Sequence, residues 1–347
     1  MKAFDIIHSW GKILAGKIPI LSIEITRECP LNCPGCYAYG DDHLGGETLL
    51  RDVADYKGDQ LVNGILELVD RYHPLHVSLV GGEPLMRHRE LSRVLPVLSK
   101  RKIFTMVVTS GVIPIPKEWT DLPYIVIAVS VDGLPKHHDE RRKPATYDRI
   151  LRNIEDRKVN IHWTIVRSHV EEQGYLEEYV SFWNGRPEVH RIWCSVYSPQ
   201  RGENTPEMLS MDQRMLLADT LPVLSQKYRK FLAPEGFARA FVRPPQNPDE
   251  CIFSKMSVNY TADLKTRIEP CVFGGDPDCS QCGCSASAAL DWIGGLPVIG
   301  GIRVRHLVQG SMNVGTWVNR IQGKGRHGIR WDQTTPVAPA HDLIQIK

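Results

Sequence analysis

Three cysteines stand close together in the stretch "EITRECPLNCPGCYAYG": Cys29, Cys33 and Cys36, spaced C-x3-C-x2-C and followed directly by Tyr37. Three thiolates are one too few to close a tetrahedral metal site, so a metal group held here keeps a position open for another molecule. Zinc ribbons use paired C-x2-C knuckles and four ligands, which this spacing fits poorly. Further along, "GGEP" sets Gly81 and Gly82, which allow close backbone approach to a ligand, beside Glu83, an acid suited to an ammonium group, and Pro84. "VTSG" contributes Thr109, and "SVDGLPKHHDERR" contributes Ser130, Asp132, Arg141 and Arg142. An arginine's planar fork matches a carboxylate. Five more cysteines, Cys251, Cys271, Cys279, Cys282 and Cys284, fall within one short, glycine-containing segment, and their thiolates suffice for a second metal site.

Taken together and in this order, these motifs resemble the radical S-adenosylmethionine (SAM) superfamily over about residues 20–285. The resemblance implies a 4Fe-4S cluster on Cys29, Cys33 and Cys36, whose fourth iron is bound by the amino and carboxylate groups of SAM. It implies that the Gly81–Pro84 turn holds SAM's amino group through Glu83, and that Tyr37, Thr109 and Asp132 belong to the same pocket. Ser130 matches the hydroxyl that contacts the ribose or carboxylate, Arg141 the arginine that pairs with the carboxylate, and Val166 a neighbour of the adenine. Arg141 is preferred over Arg142 by spacing alone. The later cysteines resemble a twitch or abbreviated SPASM domain and imply a second, auxiliary 4Fe-4S cluster; they depart from the full SPASM pattern, which holds two. Zinc is the competing occupant there, because C-x2-C knuckles also suit it. Cys251 and Cys271 bracket an expected hairpin and are the firmest ligands, and Cys284 is the expected spare. The implied reaction is one-electron cleavage of SAM to methionine and a 5'-deoxyadenosyl radical, which abstracts hydrogen from an unreactive C–H bond. An electron donor such as flavodoxin or ferredoxin is implied as a partner. The substrate is unidentified: a peptide or small molecule is one expectation and a lipid or isoprenoid at a membrane surface another. A non-catalytic iron-sulfur electron carrier or zinc-held binding module is the alternative of a different class, and it leaves GGEP, Ser130 and Arg141 without a purpose.

These residues need a scaffold that brings loops together. From Leu21 to about Tyr197, short β-branched runs alternate with longer amphipathic segments, the pattern of βα units around a parallel sheet. The strand candidates are "LSIEIT", "HVSLV", "FTMVVTS", "YIVIAVSV", "VNIHWTIV" and "RIWCSVY". Helices are expected over 50–72, 85–100, 147–156, 175–183 and 212–232. The fold class is α/β, a partial (β/α)6 TIM-like barrel with a small C-terminal cysteine-rich appendage. Alternation in the sixth strand turns Tyr197 toward the barrel mouth, as a hydrogen or proton donor or as a packed ring, and makes Cys194 a buried small residue. The expected divisions are an amphipathic helix over 1–20, the barrel over 21–205, a helical and proline-rich linker over 206–250, the auxiliary segment over 251–290 and a tail over 291–347. "MSVNYTADLKTRIEPC" reads as a hairpin within the auxiliary segment.

Composition narrows the function classes. The 347 residues carry a formal charge of +2, so no whole-chain field calls for nucleic acid. No start resembles a secretory signal, and nine cysteines, an odd number grouped toward the two ends, suit metal binding in a reducing cytoplasm better than a disulfide framework. No apolar run reaches the roughly 18 residues of a membrane span. Phe4, Ile7, Trp10, Ile13 and Leu14 lie along one helical face beside lysines; this face closes a domain or touches a membrane surface peripherally.

Overall fold

The computed structural model describes residues 10–40, 43, 44, 48, 52–144 and 146–323. Its centre is an all-parallel sheet of seven strands: β1 (Ile20–Glu24), β2 (His76–Val80), β3 (Phe104–Thr109), β4 (Ile125–Ser130), β5 (Val159–Ile165), β6 (Val189–Val196) and β7 (Ser257–Tyr260). The order is β6-β5-β4-β3-β2-β1-β7, an open, sequentially wound half-barrel. β1 to β6 coincide with the six expected strands. Their aliphatic side chains are buried on the sheet: Leu21, Ile23, Val77, Leu79, Val107, Val129 and Ile161 have essentially no solvent exposure. Full burial of each such side chain is worth about 1.5–3 kcal/mol, which makes this sheet the rigid part of the molecule. Helices 58–72, 88–100, 147–154 and 175–185 cross between strands, and helix 211–227 follows with Ser210 and Gln213 forming its capping box.

The first arm of the expected hairpin is also a seventh strand of the main sheet. Ser257 to Tyr260 pair in parallel with Ile20 to Ile23 of β1, and the return arm runs antiparallel beside the end of β7 through Tyr260 opposite Arg267, the Ile268 amide bond to the Asn259 carbonyl and the Thr261 amide bond to the Thr266 carbonyl, both bonds 3.0 Å. All four β7 residues are buried, as in a parallel strand covered on both faces, and Tyr260 donates to or accepts from Tyr72 at 2.7 Å. Part of the expected appendage is therefore woven into the main sheet. At the far edge, Phe231 bridges Ile192 and covers β6.

Of the N-terminal helix, residues 10–14 are helical, with Ile13 buried and Leu14 exposed; Phe4 and Ile7 lie outside the described residues, as do Leu50 and positions 324–347. Beyond helix 285–295, a hairpin of Pro297–Ile299 and Ile302–Arg303 leads into helix 304–321, within the segment expected as a tail. No described helix is long and apolar enough to cross a membrane.

Candidate active site at the carboxyl end of the sheet

In a parallel sheet every strand delivers its following loop to one end, and the expected site residues meet there. The cysteine loop leaves β1 and is pinned at its root. Buried Arg87 bonds Glu28 and Asp55, each at 3.0 Å, and Thr26 donates to Asp55 at 2.8 Å. Gly81 and Gly82 both have positive φ, +76° and +53°. A Cβ on Gly82 would lie 2.4 Å from the Thr26 carbonyl and 2.5 Å from that of Glu28, and one on Gly81 would lie 2.3 Å from Glu24. The glycine pair thus admits the cysteine loop itself, whereas the sequence suggested close approach to a ligand. The Glu83 amide then donates to the Glu28 carbonyl at 2.8 Å, and the Asn32 amide to the Lys143 carbonyl at 2.8 Å, so the loop is fastened to both flanking segments.

Glu83 is buried and accepts from four donors: the Leu85 amide (3.0 Å), the Thr109 hydroxyl (2.5 Å), the Ser110 amide (2.8 Å) and the Ser110 hydroxyl. On the opposite side Asp132 accepts from the Thr164 amide at 3.0 Å, from Arg142 Nε at 2.8 Å and from Arg141 Nη1. Burial alone would raise the Asp132 carboxyl, but Arg142 and Arg141 beside it hold it far below the usual carboxylate range. Arg141 also grips Glu207 with two nitrogens, at 2.7 and 3.0 Å, and lies over the Tyr197 ring. Its fork is thereby occupied on both edges. Arg142 makes one side-chain hydrogen bond among the described residues, to Asp132, and its charge acts on the Cys33 thiol. Tyr197 donates to Glu203 at 2.6 Å and stands over the loop, its hydroxyl 3.3 Å from where a Gly35 Cβ would be. Ser130 and Val166 are buried at the ends of β4 and β5.

The later cysteines dock at the same end. The Val196 amide bonds the Gly283 carbonyl (2.8 Å), the Gly283 amide bonds Ser198 (2.7 Å), and Asp278 bonds Pro199 (3.0 Å). Cys251, Cys271, Cys279, Cys282 and Cys284 line one cavity. Cys284, the expected spare, thus lines the same cavity as the other four. The two cysteine regions also touch. Tyr37 packs edge-on against Phe273 (5.3 Å between centroids), while His43 bonds the Phe273 carbonyl through Nδ1 at 2.9 Å and Glu24 through Nε2 at 2.7 Å.

The sequence profile of the radical SAM superfamily matches residues 23–166, from β1 through β5. Residues 23–166 are a radical SAM domain. The curated relative Fe-coproporphyrin III synthase of Methanosarcina barkeri (strain Fusaro / DSM 804) is 24% identical over 232 residues, 64% of this chain and 54% of the relative, so the match spans about half of that protein's length. In fold, the chain is similar to Streptococcus suis SuiB bound to its precursor peptide SuiA (TM-score 0.55, 17% identity, 93% of this chain and 77% of SuiB). It is also similar to anSMEcpe with bound AdoMet (TM-score 0.52, 14% identity, 87% and 97%).

A radical SAM domain over residues 23–166 implies a 4Fe-4S cluster and SAM, and the donor set fits. Cys29, Cys33 and Cys36 sit on one loop, partly exposed, with acid and guanidinium groups on either side. Among the described residues no three Cys, His, Asp or Glu side chains gather around the position of a single ion; a cubane instead takes each thiolate on a different iron. Burial pushes Cys29 and Cys279 up to about 11 and Cys271 up to about 12, so metal binding has to displace their protons.

Several residues of the candidate site were not legible from motifs. Glu207, from the loop after β6, reaches Arg141 across 66 positions. The Glu24–His43 pair is completed by Thr261, which donates to Glu24 at 2.6 Å. Half-buried His162 bonds Ser195 at 2.8 Å, and desolvation lowers its pKa to about 4. Arg214, buried in helix 211–227, donates to the carbonyls of Gln281 (2.6 Å) and Cys282 (3.3 Å) and so clasps the knuckle of the second cysteine group. A buried arginine facing backbone carbonyls has no sequence signature beyond its polar type on a helix.

Proposed function

We propose that this protein cleaves SAM reductively and uses the cleavage to abstract hydrogen from an unreactive C–H bond of a peptide or small-molecule substrate. One observation carries the reading: a three-thiolate loop, a buried carboxylate–arginine network and a second cavity lined by five cysteines converge at one end of the sheet. Cys29, Cys33 and Cys36 would hold a 4Fe-4S cluster, which when reduced would supply the electron that breaks SAM's sulfonium C–S bond.

The chain's own residues bind and orient. Glu83 takes the amino group, with the Thr109 or Ser110 hydroxyl rotating away to free a lone pair. Arg142 takes the carboxylate, because Arg141 is already held on both edges by Glu207 and Asp132. Asp132 aligns the two guanidinium groups, and Tyr197 covers the cysteine loop and keeps water from it. Ser130 and Val166 form the ribose and adenine side of the pocket. The cavity of the later cysteines holds a second 4Fe-4S cluster on four of its five thiolates, and a cytoplasmic flavodoxin or ferredoxin supplies the electron.

The precursor peptide carried by SuiB supports a peptide substrate. A lipid or isoprenoid is the second reading, favoured by the apolar surface of helix 304–321. Hydrogen abstraction is tested by running the reaction with extracts of cells grown in deuterated medium. Deuterium in the 5'-deoxyadenosine identifies the fraction that contains the substrate; unlabelled product from every fraction refutes abstraction from a cellular C–H bond.

A further inference from the structure

Helix 304–321 is amphipathic with its faces reversed. The side that packs inward is small and polar. A Cβ on Gly315 would lie 2.4 Å from the Ile13 carbonyl and 2.8 Å from Gly16, and buried Asn319 donates to the Gly16 carbonyl at 3.0 Å. The side that faces water carries Leu307, Val314, Trp317 and Ile321, with Trp317 62% and Ile321 65% exposed. At the helical period these four fall within an arc of roughly 80°. A helix that only closes a domain puts its apolar stripe inward. The adjoining hairpin and helix end extend the patch through Val298, Ile302 and Leu296.

Charge identifies what this face meets. From Trp292 to Trp331 the sequence contains no Asp or Glu, and Arg303 and Arg320 are exposed beside the apolar stripe, while Arg305, on the other side of the helix, pairs with Asp291 at 3.4 Å. A tryptophan and aliphatic stripe bordered by arginines is the composition of a helix lying in the headgroup region, where indole prefers the interface and guanidinium groups meet phosphate. A second copy of the chain would set these cations against each other. We infer that helix 304–321 and the hairpin before it form a docking face for an anionic phospholipid bilayer, holding the protein on the membrane surface without crossing it. The inference rests on the surface alone and stands whether or not SAM is cleaved.

The test is flotation of the full-length protein with vesicles of phosphatidylcholine alone and of phosphatidylcholine with phosphatidylglycerol in equal parts. Binding to the anionic vesicles is expected, weakened by salt. Trp317→Glu should reduce it at least tenfold, and Leu307→Glu, at the other end of the stripe, should do the same independently. Arg320→Gln should reduce it about fivefold, the effect of one cation near an anionic surface. Circular dichroism verifies that each variant is folded. Absence of binding to anionic vesicles, equal binding to neutral ones, or a dimer in light scattering that Trp317→Glu converts to monomer would each overturn the inference.

Discussion

Arg141→Ala and Arg142→Ala are predicted to fail in different ways, although the residues are neighbours. Removing Arg141 strips Glu207 of both guanidinium bonds, at 2.7 and 3.0 Å, and takes one partner from Asp132. Asp132 keeps the Thr164 amide and Arg142, so Glu207 bears most of the loss. Breaking a buried ion pair from one side destabilises by about 3–5 kcal/mol. The Glu207 side chain is 21% exposed and regains some hydration, which places Arg141→Ala at the lower end, about 3 kcal/mol. Its effect on SAM affinity should stay below about fivefold, or roughly 1 kcal/mol. Arg142→Ala leaves Asp132 paired with Arg141 and should cost about 1.5 kcal/mol of stability, one hydrogen bond to a charged group. It removes the proposed carboxylate partner, however, so SAM should bind about 10- to 150-fold more weakly, the equivalent of about 1.5–3 kcal/mol. Urea denaturation and anaerobic calorimetric titration with SAM measure the two quantities on each variant. A tenfold loss of SAM affinity in Arg141→Ala with stability unchanged, alongside normal binding in Arg142→Ala, would refute the assignment and return the role to Arg141.

Gly82→Ala forces a Cβ against the Thr26 and Glu28 carbonyls in a left-handed conformation, and denaturant titration should show a loss of at least about 2 kcal/mol together with poor iron incorporation at the first cysteine loop. His43 offers a pH test: burial lowers its pKa, but the bond and charge of Glu24 outweigh burial and the net shift is upward. Because the folded value exceeds the unfolded one of about 6.5, the added stability is complete below that pH and is lost as pH rises through the folded value. Urea midpoints of the wild type should therefore fall with pH across that window, and His43→Gln should lack that part of the slope. Arg214→Met releases the Gln281 and Cys282 carbonyls, and iron should drop from about eight to about four per chain with the first cluster's spectrum retained; full iron in that variant would show that the clasp is dispensable.

The sheet was legible because its strands are dense in β-branched residues and alternate with amphipathic helices; β7 was not, because the run Ser257–Tyr260 fits a hairpin arm and a buried edge strand equally well until its partner is known. The three-cysteine loop was readable from local spacing. The reason for Gly81 and Gly82 was not, since what each glycine avoids lies on β1 or the loop after it, more than fifty positions earlier. Arg141 and Arg142 are equivalent in the string "DERRK"; only the fold brings Glu207 to one of them. Which of the five later cysteines is spare was not legible, because all five line one cavity. Helix 304–321 escaped notice because its apolar residues face outward, between glycines that lower helix propensity.

The central claim is that Cys29, Cys33 and Cys36 hold the group that cleaves SAM. Anaerobically reconstituted protein, given dithionite and SAM, should release 5'-deoxyadenosine detectable by chromatography, and the Cys33→Ala variant, which retains the second cysteine group, should release none. Undiminished release from Cys33→Ala, or none from the wild type with its iron in place, would contradict the account.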